Sequence, residues 1–418
     1  MDQVAALSEA MYPQLREVYE DIHRHPELSF QEVRTATKLA REMRALGFDV
    51  TEKVGRTGLV AMYRNGEGPT VLVRTELDAL PMEEKTGLPY ASTAKATYNG
   101  RETFVAHSCG HDLHMATWLG TARALVTMKD HWRGTLMFIG QPAEETGEGA
   151  KAMMADGLFE RFAKPDFAFA LHTSPVRAHG VVGLNAGPVS SNFLRFQVTF
   201  KGRGGHGSAP DKTLDPIVMA SKFIVDVQTI VSLEKDPMAF GVLSVGAVQA
   251  GSAGNIIPDT AVVRGTIRSY DHGVMNKLVA GLKRTALAQA QMAGAPEPEV
   301  SLLDGALAIE NTAALVDATE AVLVAALGPD KVQRSRPITP SEDFSVFVNA
   351  GVPALFFFLG VNDPQRVIEA QQLGGRPLPF NHSPYFAPVP EPSIKTGVRA
   401  MSLAVLNTLR QRSVKSAS

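Results

Sequence analysis

The sequence predicts an α/β fold: a mixed, mostly parallel sheet covered by helices and interrupted by a smaller inserted α+β domain. Three observations carry this expectation. Short apolar runs such as Val71-Leu72-Val73 alternate with helical stripes, as strands buried on both faces of a sheet do. Polar residues gather just after those runs, at the edge where open α/β sheets carry ligands and catalytic groups. From residue 188 the texture changes to strand-helix-strand-strand-helix-strand, and the αβ alternation resumes beyond 306.

The elements follow in order. Residues 12–24 read as a helix ended by His25-Pro26. Ser29-Phe30-Gln31-Glu32 reads as a capping box for a helix with a Val33, Ala36, Ala40, Met43 stripe, closed by Gly47. Strands follow at 57–63 and 70–77, the second ending in Glu76-Leu77-Asp78. Residues 113–128 read as a helix and 135–139 as a strand leading into Gln141-Pro142-Ala143-Glu144-Glu145. Residues 166–171 are a strand ending at His172. The insertion then has strands at 194–200, 242–249, 260–268 and 299–303, with helices at 214–233 and 273–293, which is the ferredoxin-like order. Ser341-Glu342-Asp343 is expected to cap a helix, 352–359 to form a strand, and 391–412 a final helix. The expected domains are therefore 1–187 with 306–418, and an inserted 188–305.

Composition narrows the partners. With 44% hydrophobic and 20% charged residues and a net charge of −2, nothing favours nucleic acid or an anionic membrane. No run of 18 apolar residues occurs, and Met1-Asp2-Gln3 does not open a signal peptide, so the cytoplasm is the default compartment. One cysteine rules out an intrachain disulfide.

That cysteine lies in His107-Ser108-Cys109-Gly110-His111-Asp112-Leu113-His114, beside three of the eleven histidines. Alone, this stretch also reads as a buried thiol at a helix start. The rest of the chain adds Glu76, Asp78, Glu144, Glu145, His172 and His382, all expected at corresponding strand ends or adjoining loops. Thiolate, imidazole and carboxylate together suit zinc or a similar first-row divalent ion. Five such groups suffice for two ions if a carboxylate or water bridges them, and a spare carboxylate could act as general base. A cysteine hydrolase using Cys109 is an alternative that leaves Glu144, Glu145, His172 and His382 without a role. A non-catalytic binding protein would have no need of the second carboxylate in Glu144-Glu145.

The ordered motifs resemble the aminoacylase, hippurate-hydrolase and indole-acetyl-amino-acid-hydrolase group of metallo-amidohydrolases, relatives of the dinuclear zinc carboxypeptidases. They are Asp21-Ile22-His23-Arg24-His25-Pro26-Glu27, Leu77-Asp78-Ala79-Leu80-Pro81, Cys109-Gly110-His111-Asp112, Gln141-Pro142-Ala143-Glu144-Glu145 and Leu171-His172. Gly204-Gly205-His206-Gly207-Ser208-Ala209-Pro210, Asn255-Ile256-Ile257-Pro258, Ser341-Glu342-Asp343-Phe344 and Asn381-His382-Ser383-Pro384 complete the set.

The resemblance implies a zinc-exopeptidase-like fold with two divalent ions per subunit, zinc or manganese first, cobalt or nickel next. Their ligands would be Cys109, His111, Glu145, His172 and His382, with Glu144 as base and proton shuttle and Asp78 orienting an imidazole. It implies His206 at the substrate carbonyl, Asn255 and Arg268 as substrate contacts, and a homodimer formed through an inserted lid domain. The expected reaction is hydrolysis of an N-acyl amino acid, with a metallo-dipeptidase or carboxypeptidase using the same site as the alternative. Glu76 departs from the family's usual Asp at that position.

Overall fold

The computed structural model describes residues 1–415 and divides into two compact units. The larger comprises Met1–Val189, Ile309–Arg336 and Asp343–Ser418, and the smaller Ser190–Ala308 with Pro337–Glu342.

In chain order the larger unit opens with α1 (Asp2–Arg24) and α2 (Val33–Ala45). Strands β1 (Asp49–Val54), β2 (Gly58–Asn65) and β3 (Thr70–Glu76) precede α3 (His111–Thr127). Then come β4 (Gly134–Gln141), α4 (Gly149–Ala155), β5 (Phe167–Ala178) and β6 (Val182–Leu184). The smaller unit supplies β7 (Asn192–Lys201), α5 (Pro216–Asp226), β8 (Gly241–Ala250), β9 (Thr260–Ser269), α6 (His272–Met292) and β10 (Glu299–Ala306). The chain returns through α7 (Ala313–Leu327), β11 (Val332–Arg334), β12 (Ala354–Asn362) and α8 (Pro390–Lys415).

The large sheet has the order β1-β2-β4-β3-β5-β12-β6-β11, and its central strands β4, β3, β5 and β12 run parallel. This is the mixed, mostly parallel sheet the sequence predicts. β3 and β12 are buried almost throughout, consistent with strands covered on both faces. Leu15, Tyr19, Leu119, Leu125, Val398 and Val405 of α1, α3 and α8 share one core with Val71, Val73, Phe138 and Phe357 of the sheet. α3 is buried on nearly every side, which a helix without a polar face requires.

In the smaller unit the antiparallel sheet runs β8-β9-β7-β10, the ferredoxin-like arrangement. The segment Pro216–Glu234 is long and apolar enough to cross a membrane by length and composition. Here its Met219, Ala220, Phe223, Val227 and Ile230 pack into this unit's core.

Several local expectations change. Residues 337–342 group with the smaller unit, because Arg268 Nη1 and Tyr270 Oη donate to the carbonyls of Thr339 and Pro337. β5 does not stop at His172 but continues to Ala178, held by its parallel pairing with β12. Neither proposed cap forms. α2 starts at Val33 with no side-chain cap, and the Ser345–Asn349 helix also has none. Ser29, Glu32 and Asp343 are drawn instead to longer-range partners.

Candidate metal centre

The site grows from three loops at one sheet edge. β3 and β4 are parallel neighbours, and Leu77 N–H donates to the Gln141 carbonyl, so the turns after both strands leave side by side. The β3 turn carries Asp78 and the β4 turn carries Glu144 and Glu145. The third loop enters α3 through Gly110, whose φ of 89° is left-handed and whose added Cβ would lie 2.9 Å from Thr173 Cγ2. Only glycine satisfies both demands.

Hydrogen bonds tie distant segments to that loop. His382 N–H donates to Ser108 O at 2.8 Å, and Asn381 Nδ2 donates to Cys109 O at 3.1 Å and Thr173 Oγ1 at 3.2 Å. Thr173 Oγ1 donates in turn to Cys109 O at 2.9 Å. In this way a residue far along the sequence reaches the cysteine loop.

Among the ligand-type groups that result are three linked triads, Cys109–His111–His172, Cys109–Glu145–His382 and His111–Glu144–Glu145, with the ligand atoms of each within 4.8 Å of one another. All six residues lie in the larger unit, and Cys109, His111 and Glu145 each serve two triads. The Cys109 thiol is 3.3 Å from His172 Nε2, and His382 Nε2 is 3.2 Å from Glu145 Oε2. The Glu144 and Glu145 carboxylates each approach His111 Nε2 to 3.8 Å.

Tautomers follow from the backbone. His111 Nδ1 donates to Asp78 O at 2.8 Å and His172 Nδ1 donates to Thr173 O at 2.8 Å, which leaves both Nε2 atoms with a lone pair facing the cluster. His111 Nε2 and Glu145 Oε1 are buried without a hydrogen-bond partner. Buried acceptors of this kind, with a soft sulfur beside them, fit divalent metal ions.

Electrostatics point the same way. Burial, then Glu145, Glu144 and Glu76, push the Cys109 thiol well above its ordinary pKa. A cation would reverse that effect, whereas a cysteine nucleophile needs a thiolate without one. Burial and then His114 push His172 down to about 3, keeping it a neutral ligand. Burial opposes charge on His111, but its contact with Asp78 and the nearby Glu76 and Glu145 outweigh this and raise it to about 10, so its Nε2 lone pair takes up a proton unless a cation occupies that position instead. The cluster is thus short of positive charge.

Asp78 works differently from the expected imidazole clamp. Its backbone oxygen takes the His111 bond, while its carboxylate lies 3.5 Å from that ring and accepts from Glu145 N at 3.0 Å and Ser29 Oγ at 2.7 Å. Glu32 acts in parallel: it accepts from Ala143 N at 2.8 Å and Thr57 Oγ1 at 2.5 Å. Ala143 has a φ of 49°, so Glu32 braces a strained residue immediately before Glu144.

Behind the cluster lies a closed network. Thr173 N–H donates to His114 Nε2 at 2.9 Å, so Nδ1 carries the proton and donates to Glu76 Oε2 at 3.0 Å. Glu76 pairs with Arg74, which also donates to Gln141 Oε1 at 3.0 Å and Asp343 Oδ1 at 3.1 Å. Burial works against charge on Glu76, but Arg74 and His114 hold its pKa well below the usual carboxylate range. Sequence reasoning missed Arg74. The available signal was a cation two positions from an acid inside an apolar strand, hence on the same face.

The remaining predicted residues belong to the smaller unit. His206 pairs in register with Ile256 in a two-residue ladder, is exposed, and its Nδ1 lies 2.7 Å from Ser208 Oγ. Asn255 is exposed and its carbonyl accepts from Gly207 N–H. Arg268 lies 4.5 Å from the Phe193 ring centroid.

Residues 72–407 match Peptidase family M20/M25/M40. The chain is 34% identical to hippurate hydrolase of Campylobacter jejuni over 84% of this chain and 89% of that one. It is 34% identical to thermostable carboxypeptidase 2 of Saccharolobus solfataricus, covering 92% and 93% of the two chains. A Bacillus subtilis structure described as a dinuclear metal binding peptidase from the M20 family superposes with a TM-score of 0.80 at 27% identity, over 96% of this chain and 99% of that one.

Proposed function

This chain belongs to peptidase family M20/M25/M40 and is a hydrolase, and from that premise we propose that it cleaves the amide bond of N-acyl amino acids. The observation that supports this most is the division within Glu144-Glu145. Glu145 lies against His382 and joins the Cys109 triad, while Glu144 lies beside His111 outside that triad. One carboxylate serves as ligand and its neighbour is left for proton transfer.

In this reading Cys109, His111, Glu145, His172 and His382 hold two divalent ions, zinc or manganese first. The ions, when bound, supply Lewis acidity to the substrate carbonyl and to a water molecule. Glu144 takes the proton from the attacking water and delivers it to the leaving nitrogen. His206 donates to the developing oxyanion, Asn255 and Arg268 contact substrate, and the working assembly is a homodimer.

A second reading, release of a C-terminal residue from peptides, is favoured by the similarity to the Saccharolobus carboxypeptidase. The deciding experiment is a substrate panel of N-acetyl, N-benzoyl and indole-acetyl amino acids beside free dipeptides. Turnover of the acylated compounds at rates well above the dipeptides supports the first reading. The reverse order supports the second.

A further inference from the structure

Two buried cations of the larger unit are matched by acids, whereas a half-buried one on the strand that carries His172 is not. Arg74 has Glu76 and Asp343, and His23 has Asp112 and Glu84. Arg177 of β5 has no carboxylate within ion-pair distance among the described residues. Burial alone shifts its pKa, and the shift is downward. An uncompensated guanidinium in such surroundings is unfavourable unless an anion joins it.

Its surroundings are donors. Nη1 donates to Ser174 Oγ at 2.9 Å and Nη2 to Ser335 Oγ at 2.8 Å. Both hydroxyl oxygens are thereby acceptors, and each keeps its own hydrogen as a donor. Nε is buried with no partner. Ser174 and Ser335 are only 4% and 8% exposed, while Arg177 is partly open. Gly183 completes the setting: a Cβ there would lie 2.5 Å from Ser335 Oγ and 2.9 Å from Arg177 Nε, so any side chain would crowd the group.

The location relates this cluster to the metal centre. His172 and Ser174, two residues apart, lie on one face of β5 about 6.6 Å apart by strand rise. The Phe358 ring, 5.8 Å from the guanidinium, belongs to the residue paired with His172 in the neighbouring strand.

We propose that Arg177, Ser174 and Ser335 form a carboxylate subsite for the amino-acid half of the substrate. The identity of the molecule bearing the carboxylate rests on the amide-hydrolase reading above. The carboxylate is either the α-carboxylate or that of an acidic side chain. Either would accept from the two hydroxyls and pair with the guanidinium.

The test compares N-acetylglutamate, N-acetylglutamine and N-acetylglutamine α-amide as substrates of the metal-loaded enzyme and of Arg177→Met. Losing a charge-assisted contact predicts a KM rise of about 10- to 100-fold for compounds carrying the recognised carboxylate, with kcat little changed. Loss of the glutamate-over-glutamine preference assigns the side chain, and loss of the acid-over-amide preference assigns the α-carboxylate. Ser335→Asp is the second variant. It places an internal carboxylate beside Arg177, so it should raise the thermal midpoint while abolishing the same preference.

Calorimetric titration of free glutamate, glutamine and glutamine amide into the same three proteins reads the site without turnover. Failure of every acylated compound as a substrate, with Arg177-dependent glutamate binding retained, would overturn the amide reading and keep the subsite. Unchanged preferences and unchanged binding in both variants would overturn the subsite.

Discussion

The two units hold their candidate residues in opposite ways. In the larger, His111 is fully buried, its ring is fixed by the Asp78 carbonyl, and the loops bearing Cys109, Glu145 and His382 are hydrogen-bonded together. In the smaller, His206 is exposed on a two-residue ladder, Asn255 is exposed just before its second strand, and the His206 ring lies against Ser208. Burial with orphaned acceptors marks a site whose geometry is set before any ligand arrives.

The sharpest way to break this contrast is within the larger unit. Glu144→Gln should lose about 10²–10⁴ in kcat while retaining metal, because only proton transfer is removed. Glu145→Gln should lose metal as well. Elemental analysis beside kinetics separates the two, and wild-type turnover by Glu144→Gln would remove it from the mechanism.

For the smaller unit, His206→Ala should cost about 10²–10³ in kcat with metal content unchanged, as loss of an oxyanion donor does. If His206 serves the partner chain of a dimer, mixing and reassociating His206→Ala with Glu144→Gln should restore about a quarter of wild-type activity. Inactive mixed dimers, or a monomer by sedimentation, would confine His206 to its own chain.

Smaller effects probe the supports behind the cluster. Glu76→Ala removes a carboxylate paired with the buried Arg74 and should destabilise the fold by about 3 kcal/mol, read by denaturant unfolding. Glu76→Asp should cost less.

Glu32 gives the subtlest test. Burial and then Asp78 raise its pKa from 4.5 to about 7, so the folded state binds that proton more tightly than the unfolded chain. Its stabilising contribution is complete below pH 4.5 and is lost as pH rises through 7. Glu32→Gln should therefore gain on the wild type by up to about 3 kcal/mol across that window. A constant difference at every pH would refute the assignment.

Much of this was legible in the sequence, for identifiable reasons. Apolar runs flanked by polar turns gave the sheet, and the six-element order gave the smaller unit. Local pattern failed where tertiary partners outbid neighbours. Ser29 and Glu32 have capping-box spacing, yet Asp78 and the backbone of Ala143 take their side chains. Asp343 likewise serves Arg74, Gln141 and Ala150 rather than a helix end. Arg177 follows Pro175-Val176 with no periodic signal, and its meaning depends on Ser335, 158 residues away.

If the larger unit's cluster works by holding metal, bound metal and activity must rise and fall together. The direct measurement is to strip the protein with chelator, titrate it with zinc or manganese, and follow bound metal and turnover together. About two ions per chain should bind, activity should return with them, and Cys109→Ala or His382→Ala should bind fewer. Full turnover in the exhaustively chelated protein, abolished by iodoacetamide, would contradict the account and assign the chemistry to the Cys109 thiol.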